Sequence, residues 1–139
     1  MKIGFTGTQN GCTDQQLTSL IEIIGVLDDI VEVHEGDCIG ADEEFVAVCR
    51  AIIPDAKIHC WPPSKTHKRA FAEYDVIHEE HEFLVRNRHI ARESDLIIAC
   101  PKGTKETLRS GTWATVRYAR HNKKIIVIIW PDGTCKFEV

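Results

Sequence analysis

The feature that most constrains the fold is a repeated order of short apolar strand, glycine-containing loop and amphipathic helix. Three such loops occur, at residues 7–11, 34–42 and 101–103, and the third is continued by residues 111–113. This alternation is typical of a mostly parallel sheet with helices on both faces. Loops that follow the carboxyl ends of parallel strands meet at one edge of the sheet, where backbone amides and helix N-termini face anions. We therefore expect one phosphate-binding crevice.

The pattern predicts a single Rossmann-like α/β domain over residues 1–139, with three layers and a mostly parallel five-stranded sheet. Strands are expected at residues 2–6, 30–34, 57–61, 95–100 and 124–130. Helices are expected at residues 13–27, 42–53, 80–93 and 112–121. A short C-terminal edge strand at residues 136–139 would follow the Pro-Asp-Gly turn at 131–133. Residues 64–75 and 102–110 lack a clear period, which is typical of binding or covering loops.

Composition restricts the classes of partner. The chain of 139 residues has 27% charged and 43% apolar residues and a net charge of −4, as an ordinary globular protein does. It has no block of lysine or arginine, so nucleic acid is not expected as a partner. No apolar stretch reaches membrane-spanning length, and the N-terminus lacks a signal peptide's hydrophobic region. A cytoplasmic protein with no membrane partner is expected, in a host cytoplasm if the source is viral.

The six cysteines form no C-x-x-C pair and are expected to be reduced in the cytosol. Cys49, Cys60 and Cys100 are predicted to be small buried apolar residues. Cys12 and Cys38 lie in the ligand loops and are expected to be more exposed. A nucleophilic role for either is not favoured, because no orienting base is evident beside them.

The first loop offers small residues and hydroxyl groups where a backbone must approach an anion closely, at Thr6, Gly7 and Thr8. A simple tight turn is the alternative interpretation. The loop is neither a G-x-G-x-x-G fingerprint nor a G-K-[ST] motif. Standard dinucleotide binding and nucleoside triphosphate hydrolysis are therefore not expected.

The second loop is more specific and contains Gly36, Asp37, Gly40, Ala41 and Asp42. Gly40 and Ala41 at the start of a helix are expected to present free N–H donors to a phosphate. Asp37 would accept hydrogen bonds from a ribose, and Asp42 would serve the helix end. For both aspartates, capping or turn formation is an equal alternative to ligand contact.

The third loop and the helix before it complete the candidate site. Arg86 and Asn87, with Arg88 next to them and Arg92 one turn further, form the best basic element, because guanidinium groups bind phosphate bidentately. Solvated charge on a helix face is the alternative for Arg88 and Arg92. The remaining candidate ligand-binding residues are Pro101, Gly103, Gly111, Thr112 and Trp113. Trp113 either stacks on a base or belongs to the core.

A metal site is the alternative that the histidines suggest. His78 and His81 are one helical turn apart if the segment is helical. Zinc sites usually need three or four ligands, and the sequence presents no second cluster. We therefore expect neither a metal nor a cofactor.

Taken together, the loops resemble the SLOG superfamily. This Rossmann-like group includes the lonely-guy phosphoribohydrolases, the DNA-processing protein DprA, and nucleotide-sensing domains of antiphage and ion-channel proteins. The nearest resemblance is to the small bacterial and phage branch related to YspA and YpsA. Its G-T/S-R-like turn, H-G-x-x-x-G-A-D loop and R-N element match Gly7-Thr8-Gln9, residues 34–42 and Arg86-Asn87. The resemblance spans nearly the whole chain, and it implies homo-oligomers that pair through helices beside the site.

The resemblance also implies a hydrolase activity, but the phosphoribohydrolase motif is incomplete in this sequence. The phosphoribohydrolases carry an arginine nine residues before a strand-opening aspartate, as Arg86 precedes Asp95, and then a P-G-G-x-G-T-x-x-E loop. The phosphate-binding G-T matches Gly111-Thr112 after an extra loop at residues 104–110. Lys102 replaces the first glycine of that motif, and Thr115 stands at the position of the catalytic glutamate. Arg86 would orient the phosphate or stabilise charge, and Glu106 or Asp37 would substitute as the carboxylate.

Three functions follow, in order of preference. The first is binding of a nucleotide or a nucleotide-derived signalling molecule by a sensor or a sequestering protein, related to phage or bacterial immunity. Because no effector domain is evident, its output would come from oligomerisation, a partner or removal of the ligand. The alternative is a nucleotide N-glycosidase that cleaves the base–ribose bond. Single-stranded DNA binding like that of DprA ranks third, since the sequence shows no basic groove with aromatic platforms.

Overall fold

The sheet of this protein has seven strands, and the computed structural model describes all residues from 1 to 139. The strands are β1 (Lys2–Gly7), β2 (Glu32–Glu35), β3 (Lys57–Cys60), β4 (Val76–Ile77), β5 (Leu96–Cys100), β6 (Ile125–Ile129) and β7 (Cys135–Glu138). The helices are α1 (Asp14–Val26), α2 (Ala41–Ile52), α3 (Phe83–Glu93) and α4 (Gly111–His121), with a single 3₁₀ turn at Thr66–Lys68.

The strand order is β4-β3-β2-β1-β5-β6-β7, and every neighbouring pair is parallel except β6 and β7. The predicted α/β class and mostly parallel sheet are confirmed, but the count of five strands is wrong. β7 is the expected C-terminal edge strand. β4 was not predicted, because two residues are too few to show a periodic pattern. Its pairing of Val76 with His59 and of Ile77 with Cys60 makes it a strand.

Two apolar layers cover the faces of the sheet. On one face, Phe5 of β1 stacks on Phe45 of α2 with ring centroids 4.2 Å apart. On the other face, Ile97 of β5 lies in a second cluster with residues of α3 and α4. All five residues of β5 are buried, as a continuous aliphatic run flanked by helices on both faces should be. Cys49, Cys60 and Cys100 are buried as predicted, and Cys12 and Cys38 are half-buried.

Hydrogen bonds, local for α1 and long-range for α3, determine where these two helices begin. The predicted capping box of α1 is confirmed: the Thr13 hydroxyl accepts from Gln16 N, and the Gln16 side chain accepts from Thr13 N. Helix α3 begins at Phe83 rather than at residue 80. Residues before it are held extended, because the His81 amide donates to Pro62 O and the Ser64 amide donates to His81 O. This pairing joins segments far apart in sequence.

The sheet topology fixes where a ligand can bind. From β1 the chain winds outward through β2, β3 and β4, then returns to pair β5 with the other side of β1. The order therefore reverses between β1 and β5, and in open α/β sheets the crevice lies beyond the carboxyl ends of the strands at such a switch point. None of the helices has the length and the apolar character needed to cross a membrane.

Candidate functional site

A cleft of about 870 Å³ lies beyond the carboxyl ends of β1 and β5. It is lined by the loops after β1 and β2, by α3, and by the long loop that precedes α4. The predicted binding residues in its lining are Thr6, Gly7, Thr8, Gly36, Asp42, Arg86, Asn87, Gly103, Gly111, Thr112 and Trp113. The topology thus brings all three glycine loops to one place.

Three predicted contacts lie behind the cleft wall. Ala41 is fully buried, and its amide donates to Thr8 O at 3.0 Å, so this N–H is not free for a phosphate. Gly40 packs against the backbone of Gln9, where a Cβ atom would lie 2.4 Å from the carbonyl oxygen. Pro101 O accepts a hydrogen bond from the side chain of Gln16 at 2.9 Å. These residues shape the loops rather than line the cleft.

Asp37 also lies outside the cleft, and its carboxylate is fully used within the chain. Its side chain is 0% exposed and accepts from Arg69 Nε at 2.9 Å and from Tyr74 Oη at 2.6 Å. The amides of Phe71 and Ala72 donate to it as well, at 3.1 and 3.2 Å. Asp37 therefore anchors the irregular segment after β3, and no lone pair of this carboxylate faces a ribose.

Arg86 lines the cleft but is held by the protein itself. The residue is 4% exposed; its Nε donates to Asn87 Oδ1 at 2.6 Å, and its Nη1 donates to Gly36 O at 2.6 Å and to Trp61 O at 3.1 Å. Nη2 donates to Cys38 Sγ at 3.1 Å, which leaves one of the five N–H groups of this guanidinium for a ligand. The bidentate phosphate contact predicted for Arg86 is thus not available in this arrangement, and Arg88 and Arg92 are exposed outside the cleft.

Besides Asp37, the second loop contains two buried carboxyl groups, those of Glu35 and Asp42. Glu35 Oε1 accepts from the Asp37 amide at 3.1 Å and lies beside the Tyr74 hydroxyl, whose single hydrogen is directed to Asp37; the other oxygen of Glu35 has no partner. Burial raises the pKa of Glu35 well above its usual range. Burial also raises the pKa of Asp42 to about 6, although the charge of Arg86 opposes this. Both groups therefore hold their protons more tightly in the folded chain than in the unfolded chain.

This pair predicts a pH effect on stability. A carboxyl group with a raised folded pKa contributes stability below its unfolded pKa and loses it as pH rises through the folded value. For Asp42 this window runs from about pH 4 to about 6 and corresponds to about 3 kcal/mol. We expect Glu35→Gln, whose neutral side chain takes up no proton on folding, to be more stable than the wild type by about 1–3 kcal/mol at pH 7.5 and nearly equal to it at pH 4.5.

The measurement is urea unfolding of both proteins at several pH values. Glu73→Gln serves as the control, since Glu73 is an exposed carboxylate. The difference between Glu35→Gln and the wild type should grow with pH, whereas the control should follow the wild type. Parallel profiles for all three proteins would contradict the raised pKa of Glu35.

Positive charge is the feature of the cleft that the sequence interpretation missed. Lys68, Lys102, Lys105 and Arg109 line it, and none has a carboxylate within 4.0 Å among the salt bridges of the chain. With Arg86 the lining holds five cationic residues, and its only acidic residue is Asp42. Three of the cations belong to the loop before α4, a concentration visible in the sequence. In a protein with net charge −4, the cleft is a local basic site.

The start of α4 supplies backbone donors to the same wall. The amides of Gly111 and Thr112, as the first two residues of the helix, have no intrahelical acceptor, and Ser110 Oγ accepts from the Trp113 amide at 3.3 Å. Asn87 Nδ2 lies beside them, 3.8 Å from where a Cβ atom on Gly111 would stand. Trp113 is 3% exposed and packs in the α3–α4 layer, so it is a core residue that reaches the cleft.

The carboxylates invoked for hydrolysis are not in the cleft. The Glu106 side chain is held by Arg120 at 2.8 Å and Arg117 at 3.2 Å, and these hydrogen bonds keep its pKa below the usual range. Thr115, at the position matched to the family glutamate, is buried and donates to Gly111 O at 3.0 Å. Asp42 is therefore the one carboxylate that a ligand in the cleft would meet.

The histidines form a cluster that differs from the His78–His81 pair considered as an alternative. The segment containing His78 and His81 is not helical, and His81 packs edge-on against His89 at 4.9 Å between ring centroids. His78 instead lies near His34 and His59, and one ring nitrogen of each of these three lies within 4.8 Å of those of the others. Burial lowers the pKa of His34 and of His78. Because the three are distant in sequence, no local motif could show the cluster.

The fold and the cleft define a Rossmann-like α/β protein with a ligand-sized crevice at the switch point. No protein-family model matches the sequence, and comparison with curated proteins finds no match. One similar solved structure is the molybdenum cofactor binding protein of the phototrophic bacterium Rippkaea orientalis, with 21% identity and a TM-score of 0.69. The similarity covers 93% of this chain and 76% of that protein.

Two further solved structures share the architecture. TM1055, a structural genomics target, is 16% identical with a TM-score of 0.65 over 90% of this chain and 71% of its own. DNA processing protein A of Helicobacter pylori, described for its single-stranded DNA binding mode, is 18% identical with a TM-score of 0.64, over 92% of this chain and 64% of its own. These likenesses support the predicted Rossmann-like fold, and membership of the SLOG superfamily stays a prediction. The branch related to YspA and YpsA stays a prediction.

Proposed function

We propose that this protein binds a nucleotide or a nucleotide-derived signalling molecule in the cleft, as a sensor or as a sequestering protein. The observation that carries the proposal is the charge of the lining, with five cations and one carboxyl group whose pKa is raised to about 6. A phosphate-bearing ligand would neutralise cations that have no partner within the chain. The resemblance to nucleotide-sensing SLOG domains supports the same class of ligand.

The donors suggest where each part of the ligand would sit. A phosphate would lie at the start of α4, where the Gly111 and Thr112 amides, the Asn87 amide group and the helix dipole converge. The cations of the loop before α4 would contact the other phosphate oxygens. Leu84 and Leu108 line the same cleft and are 59% and 88% exposed. They would therefore cover the apolar ring face of a nucleobase.

Cleavage of the base–ribose bond is the alternative for the same ligand. Asp42 would have to act, because it is the only carboxyl group in the lining, and a raised pKa suits a proton donor near neutral pH. We expect no free adenine when the protein is incubated with AMP and the products are separated by chromatography. If the wild type and Glu106→Gln released adenine and Asp42→Asn did not, the protein would be a hydrolase that uses Asp42.

Single-stranded DNA binding gains support from one observation, the basic cleft. The likeness to DNA processing protein A is in tension with the expectation that nucleic acid is not a partner. Fluorescence anisotropy with a labelled oligothymidylate, competed by ADP, separates the two functions. A nucleotide-binding protein should release the oligonucleotide at low ADP concentrations. An oligonucleotide that binds much more tightly than ADP, with steep salt dependence, would favour DNA binding.

The resemblance also supports a homo-oligomer, which we propose as the form that binds the ligand. Light scattering coupled to size-exclusion chromatography measures the mass directly. A mass that is a multiple of the 15.7 kDa chain is expected. A monomer at all protein concentrations, with or without ADP, would remove this part of the proposal.

A further inference from the structure

A second cluster of chemically active side chains lies on the α3 face of the sheet, apart from the cleft. His34 of β2 and His59 of β3 are register partners, and His78 follows β4, which pairs with β3. Side chains alternate along strands, so the three rings share one face. His59 Nδ1 and His78 Nε2 are 2.9 Å apart, and none of the three histidines lines the cleft.

A carboxylate and an indole complete the cluster. Glu32 lies with Oε2 at 3.0 Å from His34 Nε2 and Oε1 at 4.0 Å from His59 Nε2. The indole N–H of Trp61 donates to His34 Nδ1 at 3.0 Å, and the same indole stacks on His78 with centroids 3.6 Å apart. An indole can only donate, so His34 Nδ1 carries no hydrogen, and the ring's proton lies on Nε2, directed to Glu32.

One atom of the cluster is left without a partner. His59 Nε2 is buried, and no group of the chain forms a hydrogen bond with it. Buried side-chain nitrogens in native proteins nearly always have a partner, so this nitrogen is expected to bind a water, a ligand or an ion. Three imidazoles with a carboxylate 3.0–4.0 Å from two of them form a donor set of the kind that binds zinc.

We propose that His34, His59 and His78 bind a zinc ion, with a carboxylate oxygen of Glu32 as the fourth ligand. Tetrahedral coordination at about 2.0–2.1 Å places ligand atoms about 3.3 Å apart. The longest separation among the imidazole nitrogens, 4.8 Å, therefore closes by about 1.5 Å through side-chain rotation. This site does not rest on the function proposed for the cleft, because it uses none of the cleft residues.

Zinc binding has a consequence for Trp61. If His34 binds the ion through Nδ1, the ion takes the place of the indole hydrogen. If it binds through Nε2, the neutral ring carries its hydrogen on Nδ1 and can no longer accept from an indole. Either way the bond between Trp61 and His34 breaks, and the fluorescence of Trp61 should change.

The test uses untagged protein stripped with a chelator and titrated with Zn²⁺ by calorimetry, with Co²⁺ as the spectroscopic probe. One equivalent of Zn²⁺ should bind, and Co²⁺ should give the visible absorption of a tetrahedral site. His59→Asn and His78→Asn should each weaken binding by about a hundredfold or more, since each removes a ligand. His67→Asn and His81→Asn, which alter histidines outside the cluster, should bind as the wild type does.

Two further variants keep the proposal falsifiable if a histidine variant fails to fold. Glu32→Gln should retain the fold and weaken Zn²⁺ binding at least about tenfold. Trp61→Phe should bind Zn²⁺ but lose the fluorescence change. The proposed site would be overturned if Glu32→Gln and His59→Asn bound Zn²⁺ as strongly as the two control variants. It would also be overturned if the wild type bound Zn²⁺ no more tightly than scattered surface histidines do. If the protein bound Zn²⁺ as expected but bound no nucleotide, the function proposed for the cleft would fail and the zinc site would stand.

Discussion

Replacing Lys102, Lys105 and Arg109 together with glutamine is expected to weaken nucleotide binding by about a hundredfold. All three line the cleft, and none is paired with a carboxylate in the chain. Because these side chains are exposed, a contact from each to a phosphate is worth about 1 kcal/mol. A total of about 3 kcal/mol is a factor of more than a hundred in affinity. Calorimetry with AMP, ADP and ATP measures the loss.

The matched control changes the net charge equally at a distance. Lys57→Gln, Lys123→Gln and Lys136→Gln together alter three exposed lysines that do not line the cleft. This control should bind within about threefold of the wild type at 0.15 M salt, where distant surface charges are screened. Equal losses in the two triple variants would mean that net charge, and not the cleft, governs binding.

Gly40→Ala is expected to destabilise the fold by about 3 kcal/mol and to lower the melting midpoint by about 10 °C. Gly40 has φ 88 and ψ −121, a region that L side chains rarely adopt and that costs about 1–3 kcal/mol. An alanine Cβ would also lie 2.4 Å from Gln9 O and 2.8 Å from Gly11 N, both backbone atoms. The first and second loops would then have to separate, which also opens the cleft.

Gly25→Ala is the control for this substitution. Gly25 is in α1 and has open space around it, since no atom lies within 4 Å of an added Cβ. Alanine is the better helix former, so this variant should be more stable than the wild type by up to about 1 kcal/mol. Thermal unfolding of both variants tests the pair. A Gly40→Ala protein as stable as the wild type would show that the loop has another low-energy conformation.

The sequence alone predicts the elements of the fold that are set by local patterns. The apolar runs of β1, β5 and β6 and the capping box of α1 are local patterns, and each element forms where its pattern predicts. The start of α3 and the strand β4 could not be predicted, because each depends on pairing with a segment about 20 residues away. Local periodicity carries no information about such pairs.

For the candidate site, the position of the loops could be predicted from the sequence, but the roles of single side chains could not. Parallel topology brought the three glycine loops to one cleft, as their positions after strands predicted. The roles of single side chains depend on partners elsewhere in the chain. Arg86 is engaged by Gly36 and Trp61, and a Cβ atom on Gly36 would lie 2.1 Å from its Nη1, so the glycine is needed for this close approach. Asp37 is likewise engaged by residues 69–74.

Native mass spectrometry of freshly purified, untagged protein tests the central claim most directly, followed by denaturation and mass analysis of any released small molecule. We predict that the released molecule is an intact nucleotide or nucleotide derivative. If the purified protein is empty, we predict that at least one member of a nucleotide panel raises its melting midpoint. A free base or a ribose phosphate would indicate hydrolysis instead. An empty protein whose melting midpoint responds to no nucleotide would contradict the proposed function.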